Sequence, residues 1–294
     1  MELCKQKLLD FARRLIASKS NPHCIYNRDC RLIDIFYIGL GKTGSSSLRR
    51  GFPDNNCAHF HNTEDAFKSD SVFLQNLERA NLNIYDVVLE VAKQENYKPL
   101  IIETVREPIS LAISTALQHL KRDRGNCACE LCEWKRGKKI NFESFKDTLF
   151  TYVRGLLSSN PALLLPHSYL FGKSLGVDIL NGFDYNQKKY FKETKSIKFL
   201  LTRFEEIDSR KHVMSSLGYN YTDSHVNSSV SPKSGWNLEC PTTRKIFELY
   251  KKLKNSPDGL TFSSSDLNLI YNNEVYAKLY SPKEIDSFIE KYAK

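Results

Sequence analysis

Along the chain, apolar residues first gather at Leu32-Ile33-Asp34-Ile35-Phe36-Tyr37-Ile38, a run closed by Gly39. A short β-branched and aromatic run stopped by glycine predicts a buried strand. Pro99-Leu100-Ile101-Ile102-Glu103-Thr104-Val105 predicts a second strand, and residues 196–202 predict a third. Between these runs the period changes. Ile109, Ile113, Ala116, Leu117 and Leu120 recur at helical spacing behind Pro108, a residue suited to a helix's first turn. Helical spacing returns over 142–157, from Arg203 to near Gly218, and in two closing helices at 242–253 and 282–292. Residues 45–50 can start a further helix, with serines ready to cap its free amides. Strands alternating with helices indicate an α/β fold with a mainly parallel sheet flanked by helices.

The remaining segments refine that outline. Residues 1–20 alternate Leu8, Leu9, Phe11, Leu15 and Ile16 with charges and predict an amphipathic helix, part of an N-terminal helical extension over 1–30. Asp10, Arg13 and Arg14 break the apolar stretch that a secretory signal requires. No run of about 18 apolar residues offers a transmembrane helix. These patterns predict a cytoplasmic protein with at most peripheral membrane contact, through the first helix. Residues 124–140 are charged and rich in cysteine, and read as an inserted loop. Residues 220–239 are polar, with no period. There is no internal repeat, and 1–294 reads as a single domain.

Composition adds an anionic partner. Lys and Arg outnumber Asp and Glu by 43 − 34 = 9, which favours a negatively charged ligand. The basic residues are scattered and form no long arm, which argues against nucleic acid. Hydrophobic residues make up 41%, with 17 Phe and 15 Tyr, enough for a sizeable aromatic core. With no export signal, the eight cysteines are expected to be reduced thiols. The Cys127, Cys129 and Cys132 cluster leaves zinc open, because a closed site needs a fourth ligand such as His119, Cys24 or Cys30. Idle or buried thiols are the alternative.

Candidate chemistry concentrates at Gly39-Leu40-Gly41-Lys42-Thr43-Gly44-Ser45-Ser46-Ser47-Leu48, between a strand and a helix. Glycines allow close backbone approach to a ligand. A helix start offers unpaired N–H groups and the positive end of its dipole. Hydroxyls and one ammonium complete a cradle for phosphate or sulfate. A Walker loop needs glycine five residues before Gly41; Phe36 stands there, inside the strand.

The remaining pattern, Lys42-x-Gly44-Ser45-Ser46-x-Leu48, resembles the 5′-phosphosulfate loop of the sulfotransferase superfamily. That family is of P-loop nucleotide-binding type and depends on 3′-phosphoadenosine 5′-phosphosulfate. Arg106, at a strand end, and Ser114, eight residues on, resemble the pair that binds the donor's 3′-phosphate. A guanidinium can fork onto two phosphate oxygens. Thr202-Arg203-Phe204-Glu205-Glu206 is similar to the strand end whose aromatic lies against adenine. Phe204 keeps that stacking face without a tyrosine hydroxyl; its alternative is simple core packing. Lys233-Ser234-Gly235 resembles a late loop that closes over the 3′-phosphate. Leu175-Gly176-Val177-Asp178, Gly182-Phe183-Asp184 and Leu279-Tyr280-Ser281-Pro282-Lys283-Glu284-Ile285 are similar to the putative capsular polysaccharide synthesis proteins, a sulfotransferase-like family.

The resemblance implies sulfuryl transfer to a hydroxyl, on family analogy that of a saccharide or glycolipid, with adenosine 3′,5′-bisphosphate as the second product. Lys42 would stabilise the leaving phosphate, while Thr43, Gly44, Ser45, Ser46 and Ser47 help hold the donor. His61, and after it Glu64, are candidates for the base, since His59 and His61 share a strand face and imidazole titrates near neutrality. No metal is expected. Two rivals remain: a P-loop kinase of a small hydroxyl compound, needing a Walker loop and an acidic strand-end residue for Mg²⁺, and a non-catalytic nucleotide- or glycan-binding module.

Overall fold

Five strands form one sheet: β1 (Ile35–Ile38), β2 (Cys57–Phe60), β3 (Leu100–Val105), β4 (Lys189–Glu193) and β5 (Lys198–Arg203). Their order is β2-β1-β3-β5-β4. The first four in that order are parallel, and β4 pairs antiparallel with β5. The computed structural model describes residues 33–39, 51–53, 57–60, 80–94, 96–121, 139–159, 165–222, 241–256 and 259–293. Among these, the expected α/β class with a mostly parallel sheet is present. The N-terminal helical extension, the inserted loop and the helix start at 45–50 lie outside the described residues.

Nine α-helices are described: α1 (Ile84–Gln94), α2 (Pro108–Lys121), α3 (Phe142–Ser159), α4 (His167–Phe171), α5 (Arg210–Ser216), α6 (Pro241–Lys254), α7 (Ser264–Tyr271), α8 (Glu274–Leu279) and α9 (Pro282–Tyr292). The chain clusters into two compact units, residues 1–105 with 165–224 and residues 106–164 with 225–294.

The first unit contains the sheet. β1 and β3 are buried at every position, as strands covered on both faces must be, and their unbroken apolar runs follow from it. Ile35, Tyr37, Leu100, Ile102 and Leu200 share one face with Phe52, Val213, Met214 and Tyr221. On the other face the Phe36 and Phe60 rings stack with centroids 6.3 Å apart. β1 leads to β2 on one side, while β3 is followed on the other by β5. The carboxyl ends of β1 and β3 therefore flank the point where strand order reverses, the usual ligand crevice of an open α/β sheet. α1 begins at Asn83, whose Oδ1 accepts the Tyr85 amide at 2.9 Å while Asp86 accepts the Asn83 amide at 2.8 Å.

The second unit is helical. Apolar residues of α2 (Ile109, Ala116), α3 (Phe145, Leu149), α6 (Ile246, Leu253) and α7 (Leu267, Ile270) form one core cluster. Its later helices start on side-chain caps: Ser263 for α7, Asn273 for α8, and a full capping box of Ser281 with Glu284 for α9. The strand expected at 196–202 runs over 198–203. β4, α1, α4, α7 and α8 were not foreseen from the sequence pattern.

Candidate functional site

In the first unit the site begins where β1 stops. The Gly39 amide donates to the Phe60 carbonyl at 3.2 Å, extending the β1–β2 ladder by one residue. A Cβ built on Gly39 would stand 3.3 Å from Cγ of Glu103, so the backbone passes close over that side chain. Glu103 is the one charged residue of β3 and is buried. Its carboxylate accepts the main-chain amides of His167, through a very short bond, and of Ser168 at 3.0 Å. Both donors stand at the start of α4, just after Pro166.

Burial pushes the Glu103 carboxyl up to about 7, with hydrogen bonds from the 167–168 turn pulling in the opposite direction. Tyr85 of α1 is buried beside it. Desolvation, then the charge of Glu103 and the proximity of Tyr37, hold the Tyr85 proton well above the usual phenol range. Among the described residues the Tyr85 hydroxyl has no hydrogen-bond partner. A carboxyl that titrates near neutrality beneath the end of β1 is able to hold or release a proton under physiological conditions.

Arg203 ends β5. Its guanidinium pairs with Glu206 at 2.7 Å, lies 5.7 Å from the Phe183 ring centroid and is buried. Glu206 also receives Lys188 at 2.6 Å. Phe204, the expected adenine platform, opens a 3₁₀ turn (Phe204–Ser209) and is half-buried; the guanidinium of buried Arg210 lies 5.8 Å from its ring centroid. One ring face is thus engaged by a cation of the same unit.

In the second unit, Arg106 directly precedes Glu107, and the two have different surroundings. Arg106 is half-buried, and its charge opposes the upward shift that burial imposes on the Tyr250 and Tyr292 hydroxyls. Glu107 is buried and caps α2: its oxygens accept the amides of Ile109 at 2.8 Å and Ser110 at 2.7 Å. The same carboxylate accepts Tyr271 Oη at 2.5 Å and Tyr292 Oη at 3.3 Å. Ser110 Oγ lies 3.2 Å from Tyr292 Oη. Ser114, one turn further along α2 from Ser110, is buried on the same helix face.

Of the residues singled out in the sequence, Arg106, Ser114 and Phe204 are described. Lys42, Thr43, Gly44, Ser45, Ser46, Ser47, His61, Glu64, Lys233, Ser234 and Gly235 lie outside the described residues, as do Cys127, Cys129 and Cys132. Among the described residues no group of three or more His, Cys, Asp or Glu is arranged to hold a metal ion, and no helix is long and apolar enough to cross a membrane. Cys57 is half-buried at the start of β2. Sequence reasoning missed Glu103 and gave Glu107 no role. The signal for Glu103 was there: a single carboxylate inside Leu-Ile-Ile-Glu-Thr-Val has to find donors or titrate.

Comparison of the chain with protein-family models, with curated proteins and with solved structures finds no match.

Proposed function

We propose that this chain is a sulfotransferase of P-loop type. It would move a sulfuryl group from 3′-phosphoadenosine 5′-phosphosulfate to a hydroxyl of a saccharide or glycolipid in the cytoplasm. The observation that carries the reading is that the Gly39–Leu48 motif begins in the sequence directly after β1, a buried inner strand whose carboxyl end lies where the order of the parallel strands reverses. Lys42 and the hydroxyls and amides of residues 43–47 would hold the 5′-phosphosulfate. Arg106 and Ser114 would hold the 3′-phosphate, with Lys233-Ser234-Gly235 as a further contact and Phe204 against adenine. In the reaction the sulfur–oxygen bond to the leaving phosphate breaks as a new one forms to the acceptor oxygen. The acceptor's proton passes to His61 or Glu64, and Lys42 stabilises the leaving phosphate.

The kinase reading has one observation in its favour, an acidic residue, Glu103, on the strand beside β1. Both of its oxygens already accept main-chain amides, which suits a structural brace better than a Mg²⁺ ligand. Calorimetry decides between them. Adenosine 3′,5′-bisphosphate binding with ATP inert supports the sulfotransferase; the reverse selectivity, dependent on Mg²⁺, replaces it with a kinase. In a labelled-donor assay, Lys42→Ala is expected to lower kcat by about 10²–10³-fold, the cost of removing one electrostatic stabiliser. Binding without any turnover over a panel of glycan acceptors would favour the non-catalytic module.

A further inference from the structure

The described part of the first unit is made of two stretches of chain. The chain leaves this unit after Val105 and comes back at Leu165. Glu103 stands two residues before the departure, and His167 two residues after the return. The carboxylate of the first accepts the main-chain amides of the second and of its neighbour Ser168. These partners are 64 and 65 residues apart in sequence, so the bonds cross the whole excursion. We propose that Glu103 is a proton-operated clasp which, within the first unit, fastens the strand on which the chain departs to the turn on which it returns.

The switching follows from hydrogen-bond valence. As a carboxylate, Glu103 only accepts, and both oxygens meet N–H donors. Protonation turns one oxygen into a hydroxyl, which is a donor, and the amide facing it then loses its charged acceptor. The new O–H needs an acceptor of its own. Two buried hydroxyl oxygens have no bond among the described residues: Tyr85 Oη of α1, which senses the Glu103 charge, and Ser168 Oγ, which lies within hydrogen-bonding reach of it. Loss of a proton fastens the 167–168 amides; gain of one turns the carboxyl toward a hydroxyl acceptor. Burial already brings this exchange to about pH 7, within reach of ordinary changes in conditions.

Among the described residues, α1 contributes Tyr85, and α4 contributes the imidazole of His167 and the hydroxyl of Ser168. β5 contributes Arg203, whose pairing opposite Val105 sets it on the same sheet face two positions further along, held by Glu206. The end of β1 contributes Gly39, which has no side chain to titrate. His167 is the competitor to eliminate, because its imidazole is a second proton acceptor on the same turn.

Nuclear magnetic resonance on the full chain tests the clasp without a ligand, so its outcome is separate from that of the sulfotransferase reading. Between pH 8.5 and 5.5 the His167 and Ser168 amide protons are expected to shift together, with one midpoint near neutrality. The ¹³C-labelled carboxyl of Glu103 should follow that midpoint. After correction for intrinsic exchange, protection of the 167–168 amides should fall about tenfold, the effect of losing one hydrogen bond. His167→Gln should preserve the titration and Glu103→Gln should abolish it. If Glu103→Gln does not fold, the wild-type carboxyl resonance together with His167→Gln still decides. A Glu103 carboxyl titrating near 4, amides indifferent to its protonation, or a titration lost in His167→Gln would each overturn the proposal.

Discussion

Glu103 and Glu107 stand four residues apart, are each 1% exposed, and flank the point where the chain passes from one unit to the other. They differ in what meets them. Glu103 is approached by two main-chain amides and lies within hydrogen-bonding reach of the Ser168 hydroxyl, all from one turn. Glu107 is approached by two amides and two phenol hydroxyls, so donors from α2, α7 and α9 converge on one carboxylate. The cost of burying a carboxylate is offset by donors. With donors from three helices, Glu107 is a structural rivet. Glu103 is met by one turn only, and burial pushes its carboxyl up to about 7. Equal burial thus serves two different ends.

The largest expected effect is on the rivet. Glu107→Ala removes the cap of α2 and leaves the Tyr271 and Tyr292 hydroxyls without their acceptor. We expect a loss of about 3–5 kcal/mol in urea unfolding followed by a probe in the second unit. A loss under about 1 kcal/mol would erase the contrast between the two glutamates.

Next comes the pH dependence of the responsive one. Its native pKa of about 7 lies above the ordinary value of 4.5, so the native state binds the proton more tightly than the unfolded chain does. Its contribution is therefore complete below about pH 4.5 and is lost as pH rises through 7, by about 3 kcal/mol in total. Asp178, Glu193 and Asp266 are shifted the other way, chiefly by side-chain hydrogen bonds. For that reason the quantity to measure is the stability of the wild type minus that of Glu103→Gln. It should decline across that window, and a flat difference would end the claim that Glu103 responds to pH there.

Smaller changes grade the rivet. Tyr271→Phe removes the 2.5 Å bond and should cost about 1–2 kcal/mol; Tyr292→Phe removes a 3.3 Å bond and should cost less than about 1 kcal/mol. The reverse order in thermal unfolding would show that bond length misreports their importance. Burial first, and then the charge of Glu107, hold both phenols protonated far above their usual range, so neither effect should vary between pH 6 and 9.

Elements whose cause is local were legible in the sequence. β1 and β3 announced themselves as apolar runs, α2 by Pro108 and its spacing, and α9 by the helical spacing of 282–292; Ser281 and Glu284 prove to close its start as a capping box. β4 escaped because Lys-Tyr-Phe-Lys-Glu has a single fully buried position, Tyr190. Gly182, quoted in the sequence only as part of a family-like string, proves to have a tertiary reason. A Cβ there would lie 2.3 Å from the Tyr190 ring, a partner from another stretch of chain. The meaning of Glu103 was hidden for the same cause, since its donors come from 64 and 65 residues away. Of the proposed donor site, the fold makes visible the end of β1, Arg106, Ser114 and Phe204. The cradle after Gly39 was legible as a motif alone.

β4 has a consequence for how this protein behaves in a crowded solution. It closes one margin of the sheet, and Lys189 and Lys192 reach from it to Ser216 Oγ at 3.4 Å and to the Gly176 carbonyl at 2.6 Å. A strand from a neighbouring molecule, arriving at the usual spacing of about 4.8 Å, would have to strip those ammonium groups of water and of their tethers. That margin of the sheet is thereby a poor template for extension into fibres.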